Sequence, residues 1–166
     1  MGEASSSADA TEWRRGAWLV STDRSKLQLD VVHGYLARSY WAPGIAREKV
    51  QRSLDASFCF GVYEAASGRQ VGFARAITDF ETFAWIGDVF VLEEARGQGL
   101  ATWLMEVILA HPRLQGLRRW VLATRDAHGL YRKVGFRAVE KPEEYMERRP
   151  LREGAESSGY RTGAGG

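Results

Sequence analysis

The feature that most constrains this chain lies at residues 88–110, which read DVFVLEEARGQGLATWLMEVILA. An apolar run with β-branched and aromatic residues leads directly into a turn carrying Gly97 and Gly99. A strongly apolar helical stretch follows at residues 99–110, and Pro112 stops it. Such a run favours an extended strand, and glycine permits the tight turn that must come next. An apolar helix needs a partner layer to cover it, so this succession points to helices packed on a sheet. The same turn raises a chemical question, because a glycine-rich turn that opens a helix can hold a phosphate or merely turn a corner.

The rest of the chain fits a layered domain. Residues 17–21 (AWLVS) read as a short strand. Residues 30–40 (DVVHGYLARSY) place Val31, Val32, Tyr35, Leu36 and Ser39 near helical spacing, with Asp30 suited to the first turn. The stretch WAPGI then breaks the helix. Residues 47–56 (REKVQRSLDA) form a second, shorter amphipathic helix, and FCFGVY at 58–63 is apolar on both faces and so a buried strand. Residues 70–77 (QVGFARAI) come after the turn ASGR and pair with it as a hairpin, and residues 83–92 make a third long strand. WVLA at 120–123 is a strand, HGLYRKV at 128–134 a short helix, and residues 137–139 with 145–147 a terminal hairpin. The expected order is β, α, α, β, β, β, α, β, α, β, β. Consecutive antiparallel strands with one strand–helix–strand crossover define an α+β fold, a mixed, mostly antiparallel central sheet flanked by helices.

One domain is expected over residues 13–149. Residues 1–12 are small and polar, and residues 150–166 are glycine- and serine-rich, so both are expected to be disordered tails. The net charge of +2, from 23 basic and 21 acidic residues mixed along the chain, gives no reason to expect a nucleic-acid or membrane partner. No apolar run is long enough to span a membrane, and the N-terminus has no secretory apolar region. Gly2 and Ser6 match a myristoylation pattern superficially, as floppy small-residue starts do by chance. The single cysteine, Cys59, cannot form an internal disulfide, which fits a reducing cytoplasm. Inside FCFGVY it reads as a core residue. His33, His111 and His128 lack metal-ligand spacing, so no metal is expected.

Two phosphate-binding patterns fail on the glycine turn. A P-loop needs Lys-Ser or Lys-Thr after its last glycine, where this chain has Leu100 and Ala101. A dinucleotide fingerprint needs glycine or alanine where Thr102 stands, and the next strand, WVLATR, offers no acid for a ribose. A third pattern, Arg/Gln-x-x-Gly-x-Gly/Ala, is met at every fixed position by Arg96, Gly97, Gln98, Gly99, Leu100 and Ala101. Its free helix-terminal amides point at a pyrophosphate, and small residues let the phosphates approach.

This turn, the strand before it and the helix after it resemble the acetyl-coenzyme A site of the GCN5-related N-acetyltransferases (GNAT). A second stretch, LYRKVGF at 130–136, is similar to the family's LYxxxGF segment. The stretch ATRDAHGLYRKVGF further resembles small bacterial acetyltransferases of unassigned substrate. The resemblance spans residues 13–149. Many relatives carry an asparagine shortly before the tyrosine, whereas this chain has Thr124, Arg125 and Asp126 there, so no coenzyme contact is carried over to that region.

The resemblance implies an acetyl-CoA-dependent transferase in which an amine attacks the thioester directly within a ternary complex. It places coenzyme contacts at Val89, Phe90, Val91, Arg96, Gly97, Gln98, Gly99, Leu100, Ala101 and Thr102, and it makes Tyr131 the proton donor to the departing thiolate. Candidate carboxylates for the amine are Asp79, Glu81 and Asp88. Of these, Asp88 is the catalytic candidate, with parity opposite to Val89 and Val91; for any of the three a surface or capping role is the alternative. Tyr35, Tyr40 and Trp41, at the junction of the first two helices, either enclose the substrate amine or belong to the core. The leading function is acetylation of a small-molecule primary amine by a cytoplasmic monomer or homodimer. A peptide N-terminus as acceptor, or a coenzyme-binding sensor without turnover, are the alternatives.

Overall fold

The computed structural model describes residues 10–150; the sequence-based assignments at 1–9 and 151–166, including Gly2 and Ser6, lie outside the described residues. The described residues divide into two units, one up to residue 136 and one from residue 137 on. The first contains one six-stranded sheet in sequential order, from β1 (Glu12–Arg15) and β2 (Trp18–Ser21) through β3 (Phe58–Glu64), β4 (Gln70–Thr78) and β5 (Phe83–Val91) to β6 (Arg119–Val121). Every neighbouring pair is antiparallel except β5 and β6, which are parallel. Helices α1 (Leu29–Leu36) and α2 (Arg47–Asp55) lie between β2 and β3 in sequence. Helix α3 (Leu100–Ala110) makes the β5-to-β6 crossover, and α4 (His128–Lys133) comes after β6. The expected α+β architecture is observed.

Strand alternation sorts the core into two layers. Phe60, Val62, Ala74, Ala76 and Ile86 join Leu100, Trp103, Leu104, Met105 and Ile108 of α3. The alternate residues Cys59 and Phe73, with Phe90, join Val32 and Leu36 of α1 and Val50 and Leu54 of α2. FCFGVY is therefore buried on both faces, as its composition requires.

Three differences from the sequence reading have physical causes. The sheet begins with β1, so Glu12 belongs to a strand rather than to the N-terminal tail, and the Thr22 amide bonds the Thr11 carbonyl at 3.1 Å. A four-residue strand of mostly exposed side chains (EWRR) carries no alternation signal; long-range pairing with WLVS forms it. The first helix ends at Leu36, four residues before the predicted Tyr40, because the Ser39 hydroxyl bonds the Leu36 carbonyl and accepts the Ala42 amide. In the second unit the expected hairpin of residues 137–139 and 145–147 is not formed; the described residues there hold only a 3-10 turn, Pro142–Glu144. Val139, Tyr145 and Met146 remain exposed, so those segments have no buried face to reward pairing.

Two irregularities in β5 govern the end of the strand nearest the glycine turn. Phe73 pairs with Phe90, but two residues on Arg75 pairs with Gly87, so β5 carries one residue more than β4 across this interval. That bulge places Asp88 at φ 55°, a left-handed conformation that aspartate tolerates better than most residues. The pairing with β6 runs from Phe83 to Trp85 and ends at Val121. Beyond Trp85, β5 presents an edge that β6 does not cover.

Candidate active site

The glycine turn sits where β5 hands over to α3. Arg96 is extended, Gly97 has φ 80° and Gly99, the N-cap of α3, has φ 70°. Glycine is the residue that takes these positive values without strain. No side chain caps α3, and no acidic residue occupies its first turn. Among the described residues, the amides of Gly97, Gln98, Gly99, Leu100, Ala101 and Thr102 find no acceptor. A Cβ on Gly97 would meet nothing within 4 Å. Open space, unpaired amides and the positive end of an 11-residue helix give this turn the chemistry that suits an anion.

The side chains of the motif are held by neighbours. Arg96 donates through Nε to the Val91 carbonyl at 3.0 Å and through Nη2 to the Tyr35 hydroxyl at 3.3 Å. Gln98 accepts from Arg15 on its backbone oxygen and from Trp18 on its side-chain oxygen. Leu100 is buried in the α3 core and serves packing. The side chains of Val89 and Val91 pack with the α3 layer, and Phe90 lies in the other layer. An open cleft of ≈ 330 Å³ beside Arg96 is lined by Tyr35, Arg38, Ser39, Leu92 and Glu93 among others.

The aromatic trio is brought against the same region. Tyr35 stacks on Phe90 at 4.0 Å with ring planes 8° apart. Trp41 Nε1 donates to Asp88 Oδ1 at 3.0 Å. The Tyr40 hydroxyl accepts the Arg125 amide at 3.0 Å, and the Arg125 guanidinium lies 3.8 Å from the Tyr40 ring centre. Tyr40 and Trp41 are largely exposed, so neither is a core residue. The loop that lacks the asparagine has its own duties: Thr124 accepts the Ala127 amide at the start of α4, and Arg125 holds Tyr40.

Asp88 is not a lone carboxylate. Its Oδ2 accepts from Arg75 Nε at 2.6 Å, both side chains are mostly buried, and Arg75 also donates to Ser57 Oγ at 2.9 Å. The bulge turns Asp88 toward Arg75 and Trp41, beside the α1–α2 layer and away from Val89 and Val91. Asp79 is committed elsewhere, taking the amides of Glu81, Thr82 and Phe83 and the Thr82 hydroxyl. The Thr82 hydroxyl and these amides hold its carboxyl far below the usual range, and its role is to cap a turn.

Tyr131 is buried in α4, and its ring meets Phe136 edge-on at 6.0 Å. Burial, with a smaller push from Tyr40, raises its phenol to about 12, so it keeps its proton at physiological pH. Its hydroxyl has no hydrogen-bond partner among the described residues. Cys59 is sealed in the sheet, where burial raises its thiol to about 11, too high for a thiolate nucleophile.

The sequence reading missed Arg75, Arg15 and Trp18. Arg75 left a signal, since an arginine inside the apolar run QVGFARAI needs a partner when its strand is buried. Arg15 and Trp18 left none, because they reach Gln98 across 83 and 80 residues.

Comparison with known proteins identifies the family and the fold. Residues 55–138 match the family model described as an acetyltransferase (GNAT) domain. The chain belongs to the GNAT acetyltransferase family. It is 34% identical over 142 residues to a candidate acetyltransferase of Gibberella zeae, covering 73% of this chain and 79% of that one. The crystal structure of a candidate GNAT acetyltransferase from Xanthomonas campestris pv. campestris superposes with a TM-score of 0.76 at 50% identity, over 80% of this chain and 93% of that one. A candidate acetyltransferase of Clostridium acetobutylicum solved with acetyl-CoA shares the fold at 15% identity and a TM-score of 0.55, over 73% of this chain and 89% of that one. As a GNAT family member the chain is a transferase. Among the described residues no helix is long and apolar enough to cross a membrane.

Proposed function

We propose that this GNAT protein uses acetyl-CoA to acetylate a primary amine of a small molecule. The observation that carries the reading is the row of unpaired amides from Gly97 to Thr102, opening beside the uncovered end of β5. When bound, the coenzyme supplies its acetyl group as an activated thioester. Val89, Phe90 and Val91 pair with the amide-rich arm of the coenzyme as another strand would. A backbone amide in the Phe90–Val91 stretch donates to the acetyl carbonyl as negative charge builds there.

The α3 terminus, with Arg96, Gly97, Gln98, Gly99, Leu100, Ala101 and Thr102, receives the pyrophosphate. Tyr35, Tyr40 and Trp41 enclose the body of the amine. Asp88 has lone pairs left after serving Arg75 and Trp41, and it accepts a hydrogen bond from the amine. The amine nitrogen forms an amide bond as the carbon–sulfur bond breaks; nitrogen gives up one proton to Asp88, directly or through water, Tyr131 donates one to sulfur, and exchange with solvent then restores the carboxylate and the phenol.

Thiol release from acetyl-CoA across a panel of alkyl, aryl and amino-sugar amines, with a peptide N-terminus as comparison, tests this. Amine-dependent release with a small-molecule acceptor is expected. Coenzyme binding without release by any amine would overturn the enzyme reading in favour of a sensor. Release with the peptide alone would overturn the small-molecule acceptor.

A further inference from the structure

We propose that the β1–β2 hairpin is part of the coenzyme-binding apparatus, with Arg15 and Trp18 as positioning residues that lock the Gln98–Gly99 peptide. The inference rests on assigning the glycine turn to a pyrophosphate. Arg15 and Trp18 face each other in register at the end of the hairpin, across the turn that contains Gly16. Arg15 Nη2 donates to the Gln98 carbonyl at 2.9 Å, and Trp18 Nε1 donates to Gln98 Oε1 at 3.2 Å. The Arg15 guanidinium lies over the Trp103 ring of α3 at 4.7 Å, which fixes it from a second side. One short hairpin thus grips both ends of a single glutamine.

That grip has a directional consequence. In a planar trans peptide the carbonyl and the amide of the next residue point opposite ways. With the Gln98 oxygen held on Arg15, the Gly99 amide points away from Arg15. Gly99, at positive φ, puts no Cβ on its side of this peptide to resist rotation. Free to flip, it would exchange amide for carbonyl and present an oxygen to the phosphate, turning an attraction into a repulsion. Packing of α3 cannot prevent this, because the peptide precedes the first helical residue, Leu100. The hairpin also lies outside residues 55–138, so this lock is additional to the part of the chain that matches the family model.

The test compares wild type with Arg15→Met, Arg15→Lys and Trp18→Phe. Arg15→Met keeps a stem over Trp103 without a donor, Arg15→Lys restores one donor, and Trp18→Phe removes the indole N–H while keeping an aromatic ring. Calorimetry gives the affinity for coenzyme A and for pantetheine, which lacks the pyrophosphate. Removing a charge-assisted hydrogen bond is expected to weaken coenzyme A binding about 5- to 20-fold in Arg15→Met. Arg15→Lys should fall between, and pantetheine affinity should not change. KM for acetyl-CoA should rise while KM for the amine stays constant. Without ligand, the Gly99 amide resonance should broaden in Arg15→Met as the peptide samples both orientations.

Equal weakening for coenzyme A and pantetheine would overturn the lock, because the effect would then be general loosening. So would wild-type coenzyme A affinity in both Arg15→Met and Trp18→Phe. A wild-type protein with no affinity for coenzyme A would overturn the pyrophosphate assignment itself, and the lock with it.

Discussion

Asp88→Asn separates the structural duty of this carboxylate from the catalytic one proposed for it. Asparagine is nearly isosteric and accepts a left-handed backbone, so the φ of 55° at the bulge does not itself penalise the variant. The loss is electrostatic. Asp88 offers one oxygen to Arg75 at 2.6 Å and the other to Trp41 at 3.0 Å. Asparagine offers one oxygen, so one donor is left facing an NH2 group, and the Arg75 charge is uncompensated. Hydrogen bonds to charged groups contribute about 1.5–3 kcal/mol net, and breaking a fully buried pair costs about 3–5 kcal/mol. The side chains of Arg75 and Asp88 keep 18% and 12% of their exposure, which places the loss nearer the lower range. We predict about 2 kcal/mol, or a Tm lower by roughly 7 °C for a folded unit of about 140 residues.

Urea unfolding followed by tryptophan fluorescence measures that loss, and Arg75→Gln with the double variant closes the cycle. Contacting charges should show a coupling of about 1–2 kcal/mol, so the double variant loses less than the sum of the singles. Additive losses would refute the claim that the pair acts as a unit. On the same preparation, coenzyme affinity should hold while kcat/KM for an amine falls about 10- to 100-fold, since the variant has no charge to attract a cationic amine. Wild-type kcat/KM together with lost stability would leave Asp88 a purely structural residue.

Three further outcomes are expected. Tyr131→Phe should lower kcat at least about tenfold with little change in coenzyme affinity; with the phenol at about 12, the wild-type profile should show no loss from its ionisation between pH 8 and 10, and undiminished turnover in the variant would remove Tyr131 from the chemistry. Gly99→Val forces a β-branched residue to φ 70° and should abolish the coenzyme-induced rise in Tm, whereas an undiminished rise would count against the pyrophosphate turn. His111 is buried, takes the Arg113 amide on Nδ1, and is held below its usual 6.5 by burial and, secondarily, by Arg113. Below pH 6.5 the unfolded imidazole binds a proton that the folded one resists, so stability should fall as pH drops from that point; a His111→Gln variant with an equally steep acid slope in urea midpoints would exclude this histidine as the cause.

What the chain determined by itself is local. A strand, a turn with glycines at 97 and 99, and an uncapped apolar helix leave their amides free wherever they are placed, because positive φ and unpaired first-turn N–H groups are properties of neighbouring residues. The buried FCFGVY strand and the crossover after β5 were legible for the same reason. Tertiary structure decided what those groups meet. The aromatic residues 35, 40 and 41 could equally have been core; their contacts with Phe90, Arg125 and Asp88 arise only once α1 is packed on the sheet. The partners of Asp88 were not legible, because Arg75 lies 13 residues away and Trp41 47, separations at which no local pattern operates. The EWRR strand shows the same limit from the other side. Its side chains are mostly exposed, so only register with WLVS makes it a strand and brings Arg15 to the turn that a coenzyme would use.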